Sequence, residues 1–179
     1  MIKKRKIGNT SLEVSELSMG TAPLGGWPIA TDSFRAHETL VKAWEVGIRY
    51  FDTAPLYGSG MAEERLGNFL KEKNREDFVI ATKVGRLVVY SENGSQKFKG
   101  QDPKKDTDFD FSYDGAMRSF EESLKRLKID NIDILHLHDP DNHPDHLDHA
   151  KKGAIKAMIK LKEEKVVKAL GCGLNQNEM

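Results

Sequence analysis

Residues 48–73 read IRYFDTAPLYGSGMAEERLGNFLKEK, and this stretch decides the fold. Ile48 to Asp52 is a short apolar run of strand length. A loop holding proline and two glycines follows, and then Leu66 and Leu70 recur four apart among Glu63, Glu64 and Arg65. That is a helical period behind a strand, with turn residues between them. A strand that feeds a helix through a short loop is half of a crossover unit.

The unit recurs in both directions. Upstream, residues 15–20 (SELSMG) read as a first strand and residues 33–46 as a helix. Ser33 is its expected N-cap, Leu40, Val41 and Trp44 share one face, and Gly47 stands just past its end. Downstream, residues 78–84 (FVIATKV) form a nearly continuous apolar strand, 112–128 a helix, 132–138 (IDILHLH) a strand, 149–165 a helix and 169–174 (ALGCGL) a fifth strand. In 112–128 the stripe is Met117, Phe120, Leu124 and Leu127, with Ser112 as cap and Glu121/Lys125 and Glu122/Arg126 in the favourable order. The helix 149–165 turns Ala154, Ala157, Met158 and Leu161 inward. Alternation of this kind implies parallel strands joined by right-handed helical crossovers. Ahead of it, residues 3–14 hold Gly-Asn-Thr-Ser between two short runs and read as a β-hairpin.

Two parallel architectures fit. A dinucleotide-binding open sheet needs G-x-G-x-x-G directly after the first strand, and GTAPLGG at 20–26 lacks that spacing. A (β/α)8 barrel instead places its chemistry at the C-terminal ends of several strands. Here the second strand ends in Asp52 with Tyr57 close behind, the third carries Lys83, and the fourth ends in His138. Buried charges are costly unless paired, so Asp52 and Lys83 on adjacent strands are expected to pair. His136 and His138 point to the same side of their strand. His138 lies nearer the rim, and His136 is expected one layer deeper as a hydrogen-bonded core residue. Residues 86–111 form a long polar connection, expected to be a lid on the substrate side or a disordered loop. His143, His146 and His149 recur every third residue, and a solvated loop and helix start is a simpler reading of them than a metal site.

Composition narrows the classes. Twenty-eight basic and 28 acidic side chains leave no excess to attract nucleic acid or a membrane surface. The single cysteine, Cys172, excludes an intramolecular disulfide and fits a reducing cytoplasm. Residues 1–8 (MIKKRKIG) are basic but lead into no apolar segment of the kind a signal peptide carries, and no apolar run is long enough to span a bilayer.

GTAPLGG, DTAPLYGSGMAEERLG, ATKVG, SLKRLKIDNIDILHLHDPD and GCGLNQ, in this order and spacing, resemble the aldo-keto reductase family. His-Asp-Pro and Gly-x-Gly-Leu-Asn-Gln are most similar to the bacterial sugar and pyridoxal dehydrogenase branch. The resemblance implies an NADP(H)-dependent oxidoreductase, with NAD(H) the other option, acting on a small aldehyde, ketone or sugar. It implies a catalytic tetrad of Asp52, Tyr57, Lys83 and His138. A phenol, with an unperturbed pKa of about 10, is a reluctant acid at neutral pH, and a neighbouring ammonium makes it a better one. The resemblance also implies cofactor contacts from Gly20, Thr21, Asp52 and Asn175, and no metal. Five strands are accounted for where a barrel has eight. Residues 1–179 are therefore expected to be one incomplete barrel domain, truncated, weakly active or inactive alone, and open to self-association through its sheet edges. The competing class is a non-catalytic half-barrel assembly module completed by a second chain.

Overall fold

Strand and helix signals alternate along the chain, and so do the elements of the structure, a computed structural model that describes residues 2–92, 94 and 97–175. In chain order they are β1 (Lys4–Lys6), β2 (Glu13–Ser15), β3 (Met19–Gly20), α1 (Ser33–Glu45), β4 (Tyr50–Asp52), α2 (Met61–Leu70), β5 (Val79–Val84), β6 (Arg86–Tyr90), β7 (Lys105–Phe109), α3 (Tyr113–Leu127), β8 (Ile134–His138), α4 (His146–Lys152), α5 (Ala154–Glu163) and β9 (Ala169–Gly173). Strands β3, β4, β5, β8 and β9 form one parallel sheet in that order, each joined to the next through helical segments. This is the α/β arrangement of a partial (β/α)8 barrel.

The period of two within each strand sorts its side chains between two layers. Phe51, Ile80, Leu135 and Leu137 pack in one core with Leu40, Leu66, Phe120, Leu127 and Leu161 of the helices. The alternate residues Ala81, Ile134 and Ala169 meet Leu12, with Ile7 and Val14 against them, so the N-terminal hairpin closes the lower end of the inner face. At that end Asp133, 1% exposed, accepts from the backbone N–H of Ile80 at 2.9 Å, from Arg75 at 2.6 Å and from Lys168 at 2.7 Å. This carboxylate ties β5, β8 and β9 together at their starts and leaves the opposite rim free for other work.

Four expectations are corrected. The cap of α1 is Asp32, whose Oδ1 accepts from the Arg35 N–H at 2.8 Å, so Ser33 is the first helical residue. The first strand of the sheet shrinks to Met19–Gly20, because Ser15 is spent on the hairpin, where it pairs with Lys4. The helix expected over 149–165 is two helices broken at Gly153. A Cβ at Gly153 would stand 2.5 Å from the Phe111 carbonyl oxygen and 2.7 Å from the Tyr113 nitrogen. The chain bends there so that Ala154 can donate to Phe111 O at 2.8 Å, a tertiary contact that overrides helical periodicity. Finally, residues 86–111 are not structureless: β6 and β7 form an antiparallel ribbon with Arg86 opposite Phe109. No helix among the described residues is long and apolar enough to cross a membrane.

Candidate active site

The register of the sheet brings the rim residues together. Asp52 pairs with Ala81, so Lys83 stands two residues higher on β5 and on the same face. Lys83 is 7% exposed. Its ammonium donates to Asp52 Oδ1 at 2.7 Å and to the Thr53 carbonyl oxygen at 2.9 Å. The pairing expected from sequence is present, and it supplies the acceptors that a buried ammonium requires.

Tyr57 reaches the same place through a tight loop. Gly60 donates to Pro55 O at 2.8 Å and Tyr57 to Ala54 O at 3.1 Å, with Gly58 at φ +68°. The loop presses on the turn after β3: a Cβ on Gly25 would lie 2.6 Å from the Tyr57 carbonyl carbon. Only glycine at 25 permits that approach, which gives part of the GTAPLGG stretch a packing role. The Lys83 ammonium sits 5.0 Å from the centroid of the Tyr57 ring. His138 meets that ring edge-on, with centroids 6.1 Å apart and planes at 86°.

His138 is 4% exposed. Burial, then the positive charges of Lys83 and Arg86, then His136, push its pKa down to about 2. The imidazole is neutral and carries one N–H donor. His136 lies one layer lower, opposite Lys83 in the register. It is half-buried, and its Nδ1 has no hydrogen-bond partner among the described residues, so the expected core hydrogen bond is not made at that atom. Burial and Lys83 lower its pKa as well.

Sequence reasoning missed the neighbours of this group. Arg86, 5% exposed, donates to Asp139 Oδ2 at 2.9 Å, and its guanidinium stands 3.8 Å from the Phe109 ring centroid. The only sequence signals were a charge just past an apolar strand and the Asp of His-Asp-Pro. From the far end of the β6–β7 ribbon, Phe98 turns back over the site. Its ring lies 6.3 Å from Tyr57 and 6.0 Å from Trp27. Trp27, Tyr57, Phe98, Arg86, His138 and Asp139 line a cavity of about 530 Å³ with one aromatic wall and one charged wall.

The residues named for cofactor contact fall on the same rim. Thr21 is fully buried, its N–H donates to Asp52 O at 2.9 Å, and its hydroxyl has no partner among the described residues. Gly20 is exposed, and a Cβ built there would have nothing within 4 Å. Open room at Gly20, beside its register partner Asp52, fits a flat polar ring such as a nicotinamide, while the Thr21 hydroxyl is buried and does not open onto it. Asn175 edges the cavity, but its amide donates to Asn142 Oδ1 at 3.2 Å and its N–H to Asp141 Oδ2 at 2.6 Å. Of the three loop histidines, His146 packs against Phe109 with ring centroids 4.4 Å apart and planes tilted by 49°, a packing role.

Comparison with known proteins gives the family of this partial barrel. The Aldo/keto reductase family profile matches residues 16–177. The chain is 39% identical to pyridoxal 4-dehydrogenase of Microbacterium luteolum, over 97% of this chain and 56% of that protein. It is 41% identical to D-threo-aldose 1-dehydrogenase of a Pseudomonas species, over 90% of this chain and 50% of that protein. An aldo-keto reductase of Bacillus halodurans, solved in its holo form, superposes with a TM-score of 0.75 at 32% identity, covering 98% of this chain and 51% of that one. The chain belongs to the aldo-keto reductase family. It spans about half the length of the relatives it matches.

Proposed function

We propose that this chain carries the proton-transfer half of an NAD(P)(H)-dependent site interconverting a carbonyl and an alcohol, with NADP(H) the preferred cofactor and a small aldehyde, ketone or sugar as substrate. The observation that carries the reading is the chain of contacts Asp52–Lys83–Tyr57–His138, drawn from three strands and one loop, with Tyr57 and His138 facing the cavity.

A bound nicotinamide supplies or accepts the hydride. The neutral His138 donates its N–H to the carbonyl oxygen, polarising it and fixing its position. As negative charge collects on that oxygen, the Tyr57 hydroxyl delivers its proton, leaving a phenolate that the Lys83 ammonium stabilises. Asp52 and the Thr53 carbonyl oxygen hold the ammonium in place. In the oxidising direction the Tyr57 phenolate takes the proton from the alcohol. Gly20, Thr21, Asp52 and Asn175 would receive the nicotinamide end of the cofactor, Asn175 after releasing Asn142.

Residues 1–179 form one incomplete barrel domain in this reading, a cytoplasmic protein weakly active or inactive alone. Assayed with pyridoxal and the oxidised cofactor, NADP⁺ or NAD⁺, the 179-residue chain is expected to fall far below the Microbacterium relative, and matching its rate would overturn the incompleteness. The roles themselves are tested in a chimera that joins this chain to the remaining C-terminal segment of that relative. Tyr57→Phe should cut its turnover about 10²- to 10⁴-fold with the fold intact; an unchanged rate would remove the tyrosine from the mechanism. A second reading, a half-barrel completed by another chain, draws on the outer edges of β3 and β9, which pair with no strand among the described residues. A monomer by light scattering counts against it.

A further inference from the structure

Arg86 and Asp139 are outside the tetrad yet share a cavity with Tyr57 and His138. An ordinary surface ion pair would sit in water with mobile side chains. This pair does not: the side chains are 6% and 15% exposed. The guanidinium is fixed between the Phe109 ring at 3.8 Å and the carboxylate at 2.9 Å. Its Nε is buried with no partner among the described residues, so the part of the group that can meet a ligand is its terminal nitrogens. Asp139 holds φ at +49°, a left-handed conformation uncommon for a side-chain-bearing residue, and so stands directly beside His138.

The spacing indicates what the pair would read. Asp139 Oδ2 is 3.6 Å from His138 Nε2, too long for a hydrogen bond. A substrate oxygen held by His138 therefore lies within one carbon of an acceptor and a charged donor. A hydroxyl donates one hydrogen bond and accepts others, and the carboxylate–guanidinium pair offers one partner of each kind. Across the cavity, Trp27, Phe98 and Tyr57 present an apolar wall suited to the C–H face of a ring. A simple alkyl aldehyde would leave the charged wall against hydrocarbon.

We infer that Arg86 and Asp139 are specificity-determining residues that grip a hydroxyl on the carbon next to the reacting one. This rests on the tetrad reading, because His138 sets the position of the reacting oxygen. A merely structural latch between β6 and the end of β8 would change stability without distinguishing one sugar from another.

The test follows the Trp27 indole and His138 imidazole signals of the ¹⁵N-labelled 179-residue chain during titration with D-arabinose and with 2-deoxy-D-ribose, which lacks only the C2 hydroxyl. D-Arabinose should move both signals, and the deoxy sugar should bind about tenfold more weakly. Asp139→Asn, which keeps an acceptor for Arg86, and Arg86→Lys should each bring the two sugars within about twofold. Tyr57→Phe should preserve the discrimination. Equal binding of both sugars by the unmodified chain overturns the clamp and leaves the tetrad standing. Sugars that move neither signal overturn the clamp as well. The tetrad fails separately, through undiminished turnover of the Tyr57→Phe chimera.

Discussion

Glu63 is fully buried on α2, and its removal should cost more than that of any surface carboxylate in the chain. Its Oε1 accepts from the Thr82 hydroxyl at 2.6 Å and its Oε2 from Arg126 Nε at 2.7 Å, so one side chain links α2, α3 and the strand that carries Lys83. Glu63→Gln keeps the shape and deletes the charge. The Thr82 hydroxyl can turn to accept from the new amide, which leaves the Arg126 guanidinium as the main loss. Removing one partner of a buried pair costs about 3–5 kcal/mol. Arg126 is 13% exposed and retains Glu122 at 3.6 Å, so the expected loss is smaller, about 2–3 kcal/mol. With a urea slope of about 2 kcal/mol per molar, the unfolding midpoint should fall by about 1–1.5 M. Circular dichroism in urea reads it. The double replacement Glu63→Met with Arg126→Met should recover at least half of the loss, since no charge is then left buried. A midpoint that moves less than about 0.3 M in Glu63→Gln would refute the reasoning, because the buried charge would then contribute no more than a surface pair.

Three further outcomes can be checked on the purified chain and its variants. The His138 imidazole, its pKa lowered to about 2, should show no titration in its NMR signal above about pH 4. The unfolded chain takes that proton first, so the stability His138 contributes is complete above its ordinary pKa of 6.5 and is lost as pH falls below it. The slope is at most about 1.4 kcal/mol per pH unit for one proton. His138→Gln should reduce the drop in urea midpoint between about pH 7 and 5, and an unreduced drop would deny the buried neutral state. Gly153→Ala sets two effects against each other: about 1 kcal/mol of helix propensity gained and about 1–3 kcal/mol of overpacking lost. The obstructing atoms are backbone at 2.5 and 2.7 Å and cannot step aside, so the melting temperature should fall, whereas a rise would mean that α4 and α5 can fuse.

The parallel sheet and the converging rim were legible because each rests on short-range signals. The apolar run of β5 and the stripe of α3 carry their own periods, and residues at strand ends reach one rim whatever the details of packing. What stayed hidden depends on partners far away in sequence. Arg126 reads as half of a surface pair with Glu122, yet its nearer partner is Glu63, 63 residues earlier. Residues 86–111 are polar because the ribbon β6–β7 has little core to cover, so its strands give no clean alternation. Gly153 looks like a tolerable residue inside a helix until the Phe111 backbone is placed against it. Arg86 and Asp139 could not be matched before the sheet was assembled, since 53 residues separate them.

The convergence of the phenol, the ammonium and the imidazole is open to direct measurement by nuclear Overhauser spectroscopy on the 179-residue chain. Ring centroids 6.1 Å apart and an ammonium 5.0 Å from the tyrosine ring place protons of these groups within reach of one another. Cross-peaks from the Tyr57 ring to the His138 ring and to the Lys83 side chain are expected. Assigned, well-resolved signals from all three residues with no cross-peak between them would contradict the account.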